Sequence, residues 1–312
     1  MSKANILLIA AAVLLVSGII GQASVFAARA SKKKSAFTVC SFNIRYANDK
    51  GDCFPDGSSA AWADRRDAVK TFVESVKPDI IGLQEVRKVQ AEDFMEFFGN
   101  EYGYYDVGRD SPTGASIAEA DCEGVGVLYR KDRFDLVDKG FFWLDGTPGT
   151  LPVRNDDKTF GDWHSACRRV AAWTLLRDKR RGSLIAFYST HFDHRSKVAR
   201  QQAAALMAER MDSLKADVVI AMGDLNTRLD DGWLRPLEEK FAYARNTAPG
   251  SDRNTGTFNG FGKRDTDIII DHIFYGGNVV PLLYWVEREG YGVPMLSDHY
   301  PVLLRLDYGK RR

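Results

Sequence analysis

Cysteine is scarce in this chain. Only four occur in 312 residues, Cys40, Cys53, Cys122 and Cys167. None forms a C-x-x-C pair or a Cys/His zinc spacing, which excludes a zinc-framed fold and a miniprotein held together by disulfides. An excess of one charge is missing too: 43 basic residues face 42 acidic ones. Basic runs, such as Lys32-Lys33-Lys34, are no longer than three residues, so composition offers no dedicated polyanion-binding surface. A membrane-spanning run is absent as well. The apolar stretch Ile6 to Ile20 falls short of the roughly 20 residues a span needs. There is no internal repeat, no low-complexity tract and no Pro- or Ser-rich linker in the body of the chain.

What the N-terminus does carry is an export signal. Lys3 supplies the positive start, Ile6 to Ile20 the apolar run, and Ala28-Arg29-Ala30 an A-x-A cleavage site before Ser31. Residues 1–30 are therefore expected to be a signal peptide, with an uncleaved anchor as the alternative. Lipid attachment is not expected, because the first cysteine is Cys40. Cleavage removes two basic residues and leaves 41 against 42 acidic ones. Export permits disulfides. Spacing does not choose among the three complete pairings. Cys40 lies in an apolar strand and is expected to be a buried thiol, while Cys53 and Cys122, both in polar loops, are the expected bridge. Residues 31–312 read as one domain, structured from about Ser35 and expected to be monomeric.

Periodicity sets out alternating strands and helices. Ala36 to Tyr46 reads as a first strand, Trp62 to Val76 as a helix with Val69, Phe72, Val73 and Val76 on one face, and Asp79 to Val86 as a buried strand. Val89 to Phe98 is a second helix. Gly124 to Arg130 and Phe134 to Trp143 read as an antiparallel pair turned by Lys131-Asp132-Arg133. Asp145 to Ala166 has no periodicity and is a candidate substrate-facing loop. Arg168 to Leu176 and Leu184 to Thr190 form another strand pair, followed by a helix from Lys197 to Leu214. Val218 to Ile220 is a buried strand whose end is turned by Gly223. Asp231 to Lys240 reads as a short helix, Asp267 to Tyr275 as a strand with Asp271 in its middle, and Val302 to Leu306 as the last strand.

Polar groups recur where these apolar strands end: Asn43, Glu85, His191, Asp193, Asp224, Asn226, Asp271, Asp298 and His299. A carboxylate in an apolar run needs a partner or a metal. Groups at strand ends on one side of a sheet can converge on one cleft. The set is rich in oxygen and lacks cysteine, favouring Mg²⁺, with Mn²⁺ or Ca²⁺ possible, over zinc. A hard cation, an acid and a histidine together suit hydrolysis of a phosphate ester.

Six segments occur in order: Ser-Phe-Asn-Ile-Arg-Tyr at 41–46, Gly-Leu-Gln-Glu-Val at 82–86, Thr-His-Phe-Asp-His at 190–194, Gly-Asp-Leu-Asn at 223–226, Ile-Asp-His-Ile-Phe at 270–274 and Ser-Asp-His-Tyr-Pro-Val at 297–302. Together they resemble the endonuclease/exonuclease/phosphatase family, which includes deoxyribonucleases, exonuclease III-like repair enzymes, neutral sphingomyelinases and inositol-polyphosphate 5-phosphatases. Phe142-Trp143-Leu144, Thr147-Pro148 and Arg169-Val170 resemble an exported bacterial branch of it. The resemblance implies an α/β four-layer sandwich, with two mixed sheets face to face and helices outside. It implies Glu85 as the principal Mg²⁺ ligand, with Asn43 and Asp298 beside it. Asp224 would orient or deprotonate the attacking water, and Asn226 would position phosphate and nucleophile. His299, held by Asp271, would bind or protonate a phosphate oxygen, and His191 would stabilise phosphate charge. Arg169, Asp193, His194 and Arg200 are further candidates for substrate contact.

Three functional classes follow. The first is an exported Mg²⁺-dependent phosphodiesterase acting on nucleic acid, for which Arg45, Arg65, Arg66, Arg154, Arg168 and Arg169 would supply a local patch although the chain is near neutral. The second is a phosphatase or phospholipase on lipid or sugar phosphates, for which an exposed aromatic hairpin at Phe141-Phe142-Trp143 would favour lipid. The third is a catalytically silent binding module, disfavoured by the intact Glu85, Asp224, Asn226 and His299.

Overall fold

A computed structural model describes residues 35–48, 51–249, 252–264 and 267–310. The signal segment lies outside the described residues. Among the described residues twelve strands run in chain order: β1 Phe37–Asn43, β2 Ile80–Val86, β3 Tyr102–Gly108, β4 Gly124–Arg130, β5 Phe134–Trp143, β6 Val170–Asp178, β7 Leu184–His191, β8 Val218–Asp224, β9 Ala242–Tyr243, β10 Asp271–Gly277, β11 Val279–Val286 and β12 Val302–Tyr308. The long helices are α1 Trp62–Val76, α2 Lys88–Phe98 and α3 Lys197–Ser213. The strands form two six-stranded mixed sheets, ordered β11-β12-β1-β2-β4-β3 and β5-β6-β7-β8-β10-β9. The parallel neighbours are β1 with β2, joined across α1, and β7 with β8, joined across α3. Parallel strands need such a crossover because a tight turn cannot connect them.

Both faces of the central strands are covered, which is why their sequences are continuously apolar rather than alternating. Val39 and Ile80 of the first sheet meet Phe187, Ile220 and Met222 of the second in the core between the sheets. The next residues along, Cys40 and Ile81, point outward against Phe72 of α1 and Phe94 of α2. On the far side Ala186, Tyr188 and Ala221 pack on Ala203, Met207 and Met211 of α3. Helix, sheet, sheet and helix thus make four layers, the architecture expected.

Several local expectations are corrected. β4 and β5 do not pair: β4 lies between β2 and β3, and β5 pairs with β6 in the other sheet. Lys131-Asp132-Arg133 is a crossing between sheets. Arg133, buried, holds it there through Asp79 Oδ1 at 3.2 Å and Asp178 Oδ2 at 3.0 Å. Strand β8 runs through Gly223 to Asp224 instead of turning at the glycine. Glycine is needed because a Cβ there would lie 1.8 Å from the Thr190 carbonyl oxygen of β7. Asp271 begins β10 rather than sitting mid-strand. The region 231–240 holds only a 3-10 turn, Leu229–Asp231, and one helical turn, Arg235–Glu238. All four cysteines are free. Cys122 packs beside Gly108, and Cys53 Sγ accepts from Lys263 Nζ at 3.0 Å. Phe142 and Trp143 are buried, so no exposed aromatic hairpin exists there.

Candidate active site

Strand register carries three of the expected residues to one level. His191 closes β7 opposite Asp224 at the end of β8, and Asp224 in turn lies opposite Asp271 at the start of β10. Asn43 ends β1 beside Gln84 of β2 in the facing sheet. The next residue, Glu85, would point away from its neighbours' site in a regular strand. It sits instead at an irregularity in the β2–β4 register, with φ 60°. A bulge re-aims a side chain in this way, and a left-handed glutamate is a strained conformation associated with functional sites. Asn226, at φ 46°, turns the chain back after β8, a conformation asparagine tolerates.

The resulting cleft, about 680 Å³, is lined by Glu85, His191, Asp224, Asn226, Asp298 and His299, with Arg45, Arg87, Arg109, Glu123, Arg169 and His194 on its walls. Asn43 Nδ2 donates to Glu85 Oε1 and to Asp224 Oδ2, both at 3.0 Å, while its Oδ1 accepts from the Arg45 amide. As placed, Asn43 ties the two carboxylates together as a donor. Glu85 Oε2 accepts from the Tyr46 amide at 3.2 Å. Asn226 donates its backbone N–H to Asp224 Oδ1 at 2.9 Å and its Nδ2 lies 3.1 Å from His191 Nε2. His299 Nδ1 meets Asp271 Oδ2 at 2.8 Å, and His299 Nε2 lies 3.6 Å from Asp224 Oδ2. The Phe258 ring packs edge-on to His299 at 4.9 Å.

These contacts set the proton affinities. Burial, with the Asp271 and Glu85 carboxylates, pushes Asp224 up to about 7 against the opposing pull of His299. Burial opposes charge on His299, yet Asp271 and Asp224 hold it well above the ordinary histidine value, so it is a cation at neutral pH. His191 goes the other way: burial and then Arg169 and Arg109 keep it neutral. Two histidines of one cleft therefore carry different charge states.

The donor set fits a hard divalent cation. Glu85, Asp224 and His191 present ligand atoms within 4.8 Å of one another, and so do Asp224, Asp271 and His299. Asp298 belongs to neither trio, but Arg45 lies within 4.0 Å of both Asp298 and Glu85. Burial raises Asp298 as well, with Glu85 adding to the rise. So much buried negative charge calls for a cation.

Two of the weaker candidates are placed elsewhere. Asp193 spends Oδ1 on the Arg195 and Ser196 amides and Oδ2 on those of Ala166 and Cys167. Arg200 donates to the Asp193 carbonyl at 2.8 Å and lies over Trp233. Neither lines the cleft; together they tie α3 to the loop before β6. The segment Asp145 to Ala166 does not line it either. Of the expected basic patch, Arg45 and Arg169 reach the cleft, whereas Arg65 is fully buried and Arg66 and Arg168 pair with Asp93 and Asp110. Arg87, Arg109 and Glu123 went unnoticed in the sequence. Arg87 directly follows the Gly-Leu-Gln-Glu-Val segment, but nothing local marks the other two.

The endonuclease/exonuclease/phosphatase family model matches residues 40–299. Among solved structures, an endonuclease/exonuclease/phosphatase from Bacteroides vulgatus is 29% identical with a TM-score of 0.75, covering 88% of this chain and 99% of that one. The mannosyl-6-phosphatase Bt3783 of Bacteroides thetaiotaomicron is 29% identical with a TM-score of 0.76, covering 87% and 100%. The uncharacterized protein R895 of Acanthamoeba polyphaga mimivirus is 29% identical over 240 residues, 69% of this chain and 34% of that protein, so the chain spans about a third of that relative's length.

Proposed function

The chain belongs to the endonuclease/exonuclease/phosphatase family, and from that premise we propose that it is a divalent-metal-dependent phosphoric ester hydrolase acting on a small phosphate ester. The observation that carries this reading is the convergence of Glu85, Asp224, Asn226, Asp298 and His299 on one cleft, with Asn43 and Asp271 bonded to them from behind.

Glu85 and Asp298, with Mg²⁺ as the first choice and Mn²⁺ or Ca²⁺ as alternatives, would hold the cation. When bound, it supplies charge neutralisation at phosphate and polarises the P–O bond. Asp224, poised near neutrality, orients the attacking water and takes its proton. Asn226 is locked against Asp224 and the Phe192 carbonyl and fixes the geometry of attack. Protonated His299 donates to a phosphate or leaving-group oxygen from Nε2, since Asp271 occupies Nδ1. Neutral His191, held by the Asn226 amide at 3.1 Å, adds a polar group to the cleft without adding charge.

A small ester is favoured over nucleic acid by the charge of the walls. Arg45 is paired with Asp52 and Arg109 with Glu123, which leaves Arg87 and the loosely paired Arg169 as the main free cations of the walls, few for tracking a polyanion. The relative named as a mannosyl-6-phosphatase supports the same choice. The protein would be exported by its first 30 residues and act as a monomer. An N-terminus at Ser31 in material secreted from cells would support export.

The test is hydrolysis by the protein from Ser31 onward, with Mg²⁺ and with EDTA. The panel comprises p-nitrophenyl phosphate, bis-p-nitrophenyl phosphate, hexose phosphates, plasmid DNA, RNA, sphingomyelin and a phosphoinositide. Metal-dependent turnover of a small ester is expected, falling about 10²–10⁴-fold in Glu85→Ala and in His299→Ala. Cleavage of DNA or RNA alone would replace the small-ester reading. No turnover by folded protein with any divalent metal would leave the binding-module reading standing.

A further inference from the structure

Behind His191 the cleft opens into a recess of about 10 Å³, room for a single oxygen. Its polar walls are Arg109, Glu123, Arg169 and His191, and its apolar walls include Val125 and Val170. Three buried nitrogens of these walls, Arg109 Nε, Arg169 Nε and His191 Nδ1, have no partner at hydrogen-bond distance among the described residues, the acid nearest Arg109 Nε being Asp110 at 3.8 Å. The side chain of Arg169 is 5% exposed and its Nε lies 3.9 Å from the nearest Asp193 oxygen. His191 Nε2 sits between the Asn226 amide at 3.1 Å and Asp224 Oδ2 at 3.4 Å, so its Nδ1 can present either a proton or a lone pair to the recess, depending on the tautomer. Orphaned buried donors are costly and rare in native proteins. Against them stands one buried acceptor, the Glu123 carboxylate, held in place by Arg109 Nη1 and by the backbone bond from Arg109 N to the Glu123 carbonyl.

This combination selects by chemistry. A phosphate oxygen accepts only, and Glu123 would repel it. An ammonium donates only, and two guanidiniums would repel it. A hydroxyl satisfies both sides, accepting from the orphaned N–H groups while donating to Glu123. The same four residues also line the main cleft, so a group esterified to phosphate at the cleft floor can extend a hydroxyl into the recess.

We propose that Arg109, Glu123, Arg169 and His191 form a hydroxyl-reading subsite for the leaving group, which makes the substrate a phosphate ester of a polyhydroxylated alcohol such as a sugar. This rests on the phosphoric ester hydrolase reading, and it is tested by binding so that the two can fail separately. Calorimetric titration in EDTA compares mannose 6-phosphate, its single-deoxy analogues and methyl phosphate as probes. The wild-type protein is expected to bind the sugar phosphate at least about tenfold more tightly than methyl phosphate, with one deoxy position losing that margin. Glu123→Met, checked for folding by circular dichroism, is expected to bind all the esters alike. With Mg²⁺ the same ranking is expected in kcat/KM.

Equal or undetectable binding of mannose 6-phosphate and methyl phosphate, or a deoxy series without a sensitive position, overturns the subsite and assigns the recess to a bound water. If turnover nevertheless occurs, the hydrolase reading survives. A preference for the sugar ester without turnover under any metal upholds the subsite and removes the hydrolase. Should Glu123→Met not fold, the deoxy series with wild-type protein still decides.

Discussion

His299 owes its role to a neighbour. Its positive charge at neutral pH comes from Asp271 at 2.8 Å and from Asp224, which outweigh the cost of burial. Asp271→Asn is expected to lower kcat about 10²–10⁴-fold, by releasing the ring and by lowering its proton affinity. The alkaline limb of the kcat–pH profile should move to lower pH, because a general acid must enter the step protonated. A pH profile whose alkaline limb does not move would remove His299 as the acid. His272, one residue beyond Asp271, plays a different part. It is fully buried, its Nε2 donating to the Thr227 carbonyl at 2.7 Å and its Nδ1 accepting from the Tyr243 hydroxyl at 3.0 Å. Burial pushes it down to about 4. Its folded value therefore lies below the unfolded one of about 6.5. The stability linked to it is fully present above about pH 6.5 and is lost as pH falls toward 4, on the order of 3 kcal/mol. His191, neutral for the same reason, adds in the same direction. Urea midpoints at pH 7 and pH 4.5 should show a smaller gap in His272→Gln than in the wild type.

At the scale of an element, strand β2 gives up regularity at Glu85, the side chain proposed to hold the metal. Glu85 adopts φ 60° where its register with β4 shifts, a conformation that costs a residue with a Cβ on the order of 1 kcal/mol. Glu85→Ala and Glu85→Gly should both be inactive. The glycine variant should nonetheless be the more stable by about 1 kcal/mol, because only it escapes the steric conflict. Thermal unfolding of the two side by side checks this, and equal midpoints would mean that the bulge stores no strain. Strand β8 makes a related concession at Gly223, where the Thr190 carbonyl leaves no room for a side chain. One concession is made by the acid itself and the other by the residue before one.

For the whole molecule, the two sheets are joined at the end where β1 and β5 begin by a buried charge cluster. Arg133 there bridges Asp79 of the segment before β2 and Asp178 of β6, and the Tyr308 hydroxyl donates to Asp178 at 2.7 Å. Arg133→Met would strand two buried carboxylates and should cost about 3–5 kcal/mol in urea denaturation. A loss under about 1 kcal/mol would show that apolar packing alone holds the sheets together at that end.

Much of this architecture is determined by the sequence alone. Runs such as Val218-Val219-Ile220, β-branched and apolar throughout, read as strands covered on both faces, and the spacing of Val69, Phe72 and Val73 reads as a helix. The ordered strand-end residues identify the family, because each motif couples a strand to the polar group at its end. The residues Asn43, Glu85, His191, Asp224, Asn226, Asp271, Asp298 and His299 were all legible in this way. Tertiary structure decided the rest, where partners come from distant chain. Strands β4 and β5 are separated by three residues, yet they part into different sheets because Arg133 finds its acids 54 and 45 positions away. Asp193 reads as a substrate contact beside His191 until the amides of a distant loop claim its oxygens. Arg109 and Glu123 carry no local pattern at all, since their meaning lies in facing His191 and Arg169 across a recess. Periodicity records which face of an element is buried; only packing decides which charges meet.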